Sequence, residues 1–447
     1  MMKSKTIGYE LLRIYVRFAF WLTHRKIVVS GRENIPSGKP IIFAANHQNA
    51  LMDPLALVCT NKLQTVWLAR ADIFKSKKAR QFLKFLKIWP VYRIRDGKEN
   101  LANNDEIFDK VAELLENNQS VALFPEAAHS GKRQMLPHKK AIPRIAFETE
   151  ARKNFQLDLQ IVPVGIFYSH YWNFNRTLIV QYGQPIHAKN YWLDYELNPQ
   201  KAMLDLRDEI HYQIQSLVID IKSKTHYNEL EQIREIAGKP RATSFFTRNK
   251  TIKQFGSEKE LIDKLEQLGQ TSPDSFEEII NQLDDYQKSL AESNLSDCKV
   301  VNSQKSGIFS SSIKILLSLI SLPVFAIGSL FNLIPYFIPR TIVMRKVKDK
   351  AFISSFNFVL GLIIYPIYYL ILYFVVLQPR YPMRISLVFI ILLPFLGKAA
   401  YALFQFYKSV IQESKYLFLT KKYRSKMDDL IKKRWILVEM IRDKVNL

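Results

Sequence analysis

The sequence predicts an α/β layered domain with a mixed central sheet flanked by helices, followed by a helical linker and a C-terminal helical membrane domain. Three observations carry that prediction. Short apolar runs alternate with amphipathic stretches over residues 1–235, the pattern of strands and helices in layers. Residues 236–306 turn richer in Ser, Thr, Asn and charge. Residues 307–447 hold long uncharged apolar runs before a basic tail.

Strands are expected at 40–45, 65–68, 89–94, 120–124, 160–167 and 177–182, with helices between most of them. Residues 100–117 show the helical pattern, with Ile107, Phe108, Val111, Leu114 and Leu115 on one face. Near the start, residues 9–21 group Leu12, Tyr15, Val16, Ala19 and Phe20 on one face, with Arg13 and Arg17 beside it. Such an aromatic, basic helix suits a membrane interface, and an ordinary core-packed helix fits the same pattern. It is not read as a signal peptide, because Arg17 interrupts the apolar run and no small-residue cleavage pattern follows. In the linker, helices are expected over 258–268 and 275–292.

The C-terminal part is expected to dip into the membrane and then span it. Residues 315–339 lack charge but contain Pro323, Pro335 and Pro339, which suits a segment that is re-entrant or packed at the interface, with three full spans as the competing arrangement. Residues 351–377 and 385–407 would form a two-span hairpin turning outside through 378–384, with Lys398 the one charge in the second span. Arg340, Arg345, Lys346, Lys348 and Lys350, like the basic tail after Lys408, would stay cytosolic, and so would the N-terminal domain.

The 447 residues are 48% hydrophobic, enough for two or three domains with a sizeable core. Lys and Arg number 64 against 41 Asp and Glu, a net charge of +23 that suits nucleic acid, anionic lipid or a phosphorylated substrate. The apolar runs favour the membrane, and the lack of a recognisable nucleic-acid module argues against nucleic acid. Cys59 and Cys298, far apart, make neither a disulfide framework nor a zinc spacing, and no metal cluster or cofactor motif is evident.

Four short motifs carry chemistry. In the first, Asn46-His47-Gln48-Asn49-Ala50-Leu51-Met52-Asp53-Pro54, a strand ends near Asn46 and a helix is expected after Asp53 as its N-cap. His47 then sits in a strand-to-helix turn, where ligands bind in open α/β sheets. A histidine held by a carboxylate can take a proton from an alcohol. Taken singly, His47 also fits a structural histidine and Asp53 a plain cap. The second motif, Trp89 to Arg95, places Arg93 near a strand end, where a guanidinium can clamp phosphate or simply meet solvent. The third, Phe124-Pro125-Glu126-Ala127-Ala128-His129-Ser130-Gly131-Lys132-Arg133, crowds carboxylate, imidazole, hydroxyl and cations into one loop, with Lys139, Lys140 and Arg144 soon after. A solvated loop has the same composition. The fourth, Val162-Pro163-Val164, marks an edge strand or a bulge, because proline removes a ladder donor.

Together, in this order, the four motifs resemble the glycerolipid acyltransferase family, the lysophosphatidate and glycerol-3-phosphate acyltransferases. That family carries N-H-x-x-x-x-D, a strand ending in arginine, F-P-E-G-[ST]-R-S and V-P-[VA]. The likeness runs from about Lys39 to Pro185, a third of the chain. The resemblance implies that His47 is a general base oriented by Asp53, that Arg93 binds the acceptor's phosphate and that Glu126 lies in the acceptor site. It implies acyl-CoA or acyl carrier protein as donor, a glycerol-phosphate lipid as acceptor and a place among membrane phospholipids. A transacylase using a lipid donor and a non-catalytic lipid-binding protein remain the alternatives. The chain departs from the pattern in three ways. Five residues, not four, separate His47 from Asp53. Ala127 and Ala128 replace the glycine and the hydroxyl residue. His129 stands where arginine is usual, which leaves Arg133 or Lys132 to supply the missing cation.

Overall fold

The computed structural model describes residues 7–92, 103–238, 248–304 and 308–446. These divide into two structural units, Met1–Val218 with Val347–Ser355, and Ile219–Lys346 with Phe356–Leu447.

The first unit opens with α1 (Ile7–Thr23) and β1 (His24–Ser30). Then come β2 (Ile41–Ala45), α2 (Met52–Thr60), β3 (Val66–Arg70), α3 (Lys77–Phe85) and β4 (Ile88–Val91). They are followed by α4 (Asn103–Glu116), β5 (Ser120–Leu123), α5 (Ala141–Ala151), β6 (Gln160–Tyr168), β7 (Arg176–Tyr182) and β8 (Ile186–His187). The helices α6 (Trp192–Leu197) and α7 (Pro199–Ser216) close it. One mixed sheet runs β1-β7-β6-β2-β5-β3-β4, with β8 paired to β6. β6 meets β7 and β8 antiparallel, and every other pair is parallel. Every residue of β2, β5 and β6 is buried, as expected of strands covered on both faces. Ile42, Val121 and Ile161 pack with Val111, Leu115, Ile145, Leu206 and Ile210 from α4, α5 and α7 in one core.

The expected sheet and helices are present, with two strands beyond those expected, β1 and β8. β1 begins with His24, Arg25 and Lys26 and is an edge strand, so it lacks the apolar run that marks the others. Pro163 does not lie at an edge. It sits inside β6, at the gap between β8, which pairs with Gln160 and Ile161, and β7, which pairs from Val164 onward. No ladder partner faces its missing N–H there, and its carbonyl accepts from Gly183 N at 2.8 Å. A Cβ on Gly183 would lie 2.9 Å from the Pro163 ring, so that turn requires glycine.

Of the two placements that fit the N-terminal helix, most of the grouped face takes the core-packed one. Phe20 is buried and Leu12, Val16 and Ala19 are half-buried, so most of the grouped face packs inward, while Tyr15 stays exposed. Arg13 is buried as well, donating to the carbonyls of Asn61 (3.3 Å) and Leu63 (3.2 Å). The exposed face carries Ile7, Leu11, Ile14, Phe18 and Trp21. Both faces of α1 are apolar, and periodicity alone could not choose between them.

The second unit is helical: α8 (Tyr227–Ala237), α9 (Arg248–Thr271), α10 (Pro273–Ser293), α11 (Asp297–Gln304), α12 (Ile308–Ile320), α13 (Leu322–Lys346), α14 (Ile353–Ile371), α15 (Met383–Lys422) and α16 (Arg424–Val445). The expected linker does not stand apart. The stripe Phe276, Ile279, Leu283 and Tyr286 of α10 is buried, and α10 packs on α16. Tyr286 and Arg434 both donate to Asp297, at 2.9 and 2.6 Å.

The expected reversal within 315–339 is absent. α12 and α13 run antiparallel to α15, and their contacts advance steadily. Lys314 pairs with Glu413 (2.8 Å), Ser321 with Tyr407 (3.0 Å), and Asn332 donates to the Leu393 carbonyl (3.2 Å). Gly328 lets α13 close on α15, because a Cβ there would meet the Leu396 carbonyl at 2.5 Å. Pro335 and Pro339 lie within the continuous helix, where packing against a neighbour tolerates them. Among the described residues, three helices are long and apolar enough to cross a membrane: Leu322–Lys346, Lys350–Leu377 and Met383–Lys422.

Candidate active site

Because β2, β3, β5 and β6 are mutually parallel across the sheet, their C-terminal ends line one edge. The crevice beyond such an edge is where open α/β sheets bind ligands. Asn46 is the first residue beyond β2. Its side-chain amide accepts from Ile166 N (2.7 Å) and donates to Ile166 O (3.1 Å), extending the β2–β6 pairing by one rung. That fixes the backbone at the point where His47 leaves the sheet.

Asp53 is not the cap of α2 but lies in its first turn, which starts at Met52. A tight turn absorbs the extra residue of the spacer: Met52 N reaches Asn49 O at 2.9 Å, and Ala50 takes a positive φ of 39°. The buried Asp53 Oδ2 thereby gathers three donors: Gln48 N (2.8 Å), Asn49 N (2.7 Å) and His47 Nδ1 (2.9 Å). With Nδ1–H committed to the carboxylate, Nε2 keeps its lone pair. The His47 ring stacks on Phe124, centroids 4.0 Å apart, and its side chain is 16% exposed, so the site opens at the imidazole.

β5 lies beside β2, with Ala44 level with Leu123, and this brings the Phe124–Arg133 loop against the His47 turn. The buried Glu126 carboxylate braces the two: Oε1 accepts from His47 N (3.0 Å) and Oε2 from Leu136 N (3.2 Å). These contacts let the carboxylate hold the two loops together beside the His47 imidazole. Ala127, at the family's glycine position, has φ 56°, the left-handed conformation that glycine enters without strain. His129 lies edge-on to His47, centroids 5.5 Å apart. Burial, followed by the His47 and Arg70 charges, lowers its pKa below the ordinary histidine value, against the pull of Asp349 3.8 Å away.

The remaining expected site residues are not drawn into this cluster. Arg133 turns inward: its Nη2 donates to the carbonyls of Tyr168 (2.6 Å) and Ser169 (3.1 Å), and its guanidinium lies over the rings of Phe167 and Tyr171. It ties the loop to the end of β6 and does not replace the missing cation. Lys139 and Lys140 are exposed. Lys140 lines a cavity with Arg144, Glu148, Tyr195, Gln200 and Met203, whose lining includes none of His47, Asp53, Glu126 or His129. Arg93 lies outside the described residues. Just before it, Asn104 clamps the backbone of Tyr92 on both sides, at 2.9 and 2.8 Å. Burial pushes the Cys59 thiol up to about 12, which suits packing and not nucleophilic chemistry.

Sequence reading missed several contributors. Tyr171 donates to Gln48 Oε1 at 2.6 Å and supports the His47 turn from the far side of β6. Asp349, Phe352, Ser354 and Ser355 reach the same two loops from a segment more than 200 residues away in sequence, which no local pattern signals. Arg70 ends β3 at the same sheet edge, a position that the strand assignment alone could have flagged.

The arrangement is a carboxylate-held imidazole in a braced, partly open crevice. Residues 26–167 match the family model described as Acyltransferase. Over 143 residues the chain is 24% identical to the 1-acyl-sn-glycerol-3-phosphate acyltransferase of Borreliella burgdorferi, covering 32% of this chain and 55% of that protein. Over 133 residues it is 25% identical to the Glycerol-3-phosphate O-acyltransferase 1 of Saccharomyces cerevisiae, covering 29% of this chain and 17% of that one. The chain thus spans about half the length of the first relative and much less of the second. The solved lysophosphatidate acyltransferase PlsC of Thermotoga maritima aligns over 47% of this chain and 83% of its own, at 20% identity and a TM-score of 0.34. Motifs, site and family match agree over one stretch: residues 26–167 match the Acyltransferase model and are similar in sequence to two glycerolipid acyltransferases.

Proposed function

We propose that the protein transfers a fatty acyl group from acyl-CoA or acyl carrier protein to the hydroxyl of glycerol-3-phosphate or 1-acylglycerol-3-phosphate. The observation that carries this reading is the Asp53-bound His47, whose Nε2 is left open at the carboxyl edge of the sheet. In the proposed reaction the acceptor oxygen attacks the thioester carbonyl carbon while its proton passes to His47 Nε2. Asp53 stabilises the resulting imidazolium. The C–S bond then breaks and the leaving thiolate regains the proton, giving an ester and a free thiol. Arg93 would hold the acceptor's phosphate.

The outward apolar face of α1 and the three long apolar helices support work on a membrane-embedded lipid, with the catalytic domain on the cytosolic side, where acyl thioesters are made. The test is an assay of purified protein with glycerol-3-phosphate and 1-acylglycerol-3-phosphate in parallel, using labelled acyl-CoA and acyl carrier protein. Transfer to one acceptor is expected, and no transfer in any combination rejects the reading. Arg93→Ala should raise the acceptor's KM and leave the donor's unchanged, with Arg93→Lys restoring only part, since a point charge cannot reproduce the guanidinium fork.

A further inference from the structure

The turn that carries the histidine is held by a segment far outside the acyltransferase match. Val347–Ser355 forms one unit with the first 218 residues, although in sequence it joins α13 to α14. From it, Ser354 Oγ donates to Asn49 Oδ1 at 2.7 Å, and Ser355 Oγ accepts from Leu51 N at 3.1 Å. All three side chains are deeply buried: Ser354 is 6% exposed, Ser355 5% and Asn49 0%.

The two bonds bracket Ala50, whose φ of 39° lies outside the ordinary range of a residue with a Cβ. Such a residue keeps its conformation only where the surroundings fix it. The same turn aims Gln48 N and Asn49 N at Asp53 Oδ2, so slack at Ala50 would shift the carboxylate against the His47 ring. Earlier in the segment, Phe352 packs edge-on to His129, centroids 4.6 Å apart, so the second loop is held as well.

We infer that Ser354 and Ser355 are positioning residues for the base: together they clamp the turn between His47 and Asp53 in its strained form. The inference rests on the acyl-transfer reading above. Through this clamp, the geometry of the base depends on the first turn of α14, which opens a helix long and apolar enough to cross a membrane.

The test uses the purified full chain and the variants Ser354→Ala, Ser355→Ala and the pair combined. In the pair, kcat should fall by about 10- to 100-fold, the scale of a small misplacement, while both KM values hold. Ser354→Thr, which keeps the hydroxyl, should restore most of the rate lost in Ser354→Ala. Asn49→Ala should cost more than Ser354→Ala, because it also removes the bond from Asn49 Nδ2 to the Tyr171 carbonyl (3.3 Å), and the two losses should combine less than additively, since they share one contact. Hydrogen exchange of the peptide covering 48–53 should quicken in Ser355→Ala, a readout that holds whether or not acyl transfer is the reaction. Unchanged exchange, a wild-type kcat in the pair, or equal losses from Ser354→Ala and Ser354→Thr would each overturn the clamp. A wild-type protein inactive on every substrate would instead reject the acyl-transfer reading, with the exchange result still deciding the contact.

Discussion

The two loops at the sheet edge depart from the family pattern in different ways, and the structure treats them differently. The turn after β2 keeps its chemical residues but carries one residue too many. The loop after β5 keeps its length but changes its residues. In the first, Asp53 still collects His47 Nδ1 and two amides, because the extra residue folds into a turn at Ala50. In the second, Ala127 adopts the glycine-like conformation anyway, while Arg133 goes to the interior. Spacing can be absorbed where a turn intervenes and every donor still converges on one oxygen. A lost cation is not recovered by a neighbouring one when aromatic rings and free carbonyls offer that neighbour a better place.

The largest effect that separates the loops should come from Arg133. Replacing it with Met would strand one buried and one half-buried carbonyl, and we expect a loss of about 3 kcal/mol of stability, read by thermal or denaturant melting, with the acceptor's KM unchanged in molecules that remain folded. A raised KM with unchanged stability would return Arg133 to the substrate.

Next comes pH. The same loop ends on His138, which burial first, and then His211 and Arg207, lower to about 3. The folded form thus stays neutral where the unfolded chain, near 6.5, takes up a proton. The stabilising contribution is complete above pH 6.5 and lost as pH falls towards 3, at up to about 1.4 kcal/mol per pH unit. His138→Leu should flatten the fall between pH 7.5 and 5, and an unaltered slope would contradict the assignment. The smallest effect should be Ala127→Gly, which relieves the strain at φ 56° and raises stability by at most about 1 kcal/mol with kcat unchanged.

The sheet was legible where strands are buried on both faces, since Ile41–Ala45 and most of Gln160–Tyr168 are uncharged and largely apolar. β1 was not, because an edge strand can begin with three basic side chains. The histidine–carboxylate pair was legible from residue types and order, since both lie within one turn. The inward turn of Arg133 was not, because its partners Tyr168 and Ser169 come from another strand's end. Nor was the hold of Ser354 and Ser355 on the turn, since two serines opening an apolar helix carry no pattern that points to residue 49 or 51. The antiparallel run of α12 and α13 along α15 was hidden for a different reason. Prolines signal a break in an isolated helix but are tolerated in one packed along a partner.

The measurement closest to the central claim is the acyl-transfer rate of His47→Ala in protein shown by its melting temperature to be folded. A positioned base contributes about 10²–10⁴-fold, and the rate should fall by that factor while the melting temperature holds. Turnover close to wild type in that folded variant would contradict the role given to His47.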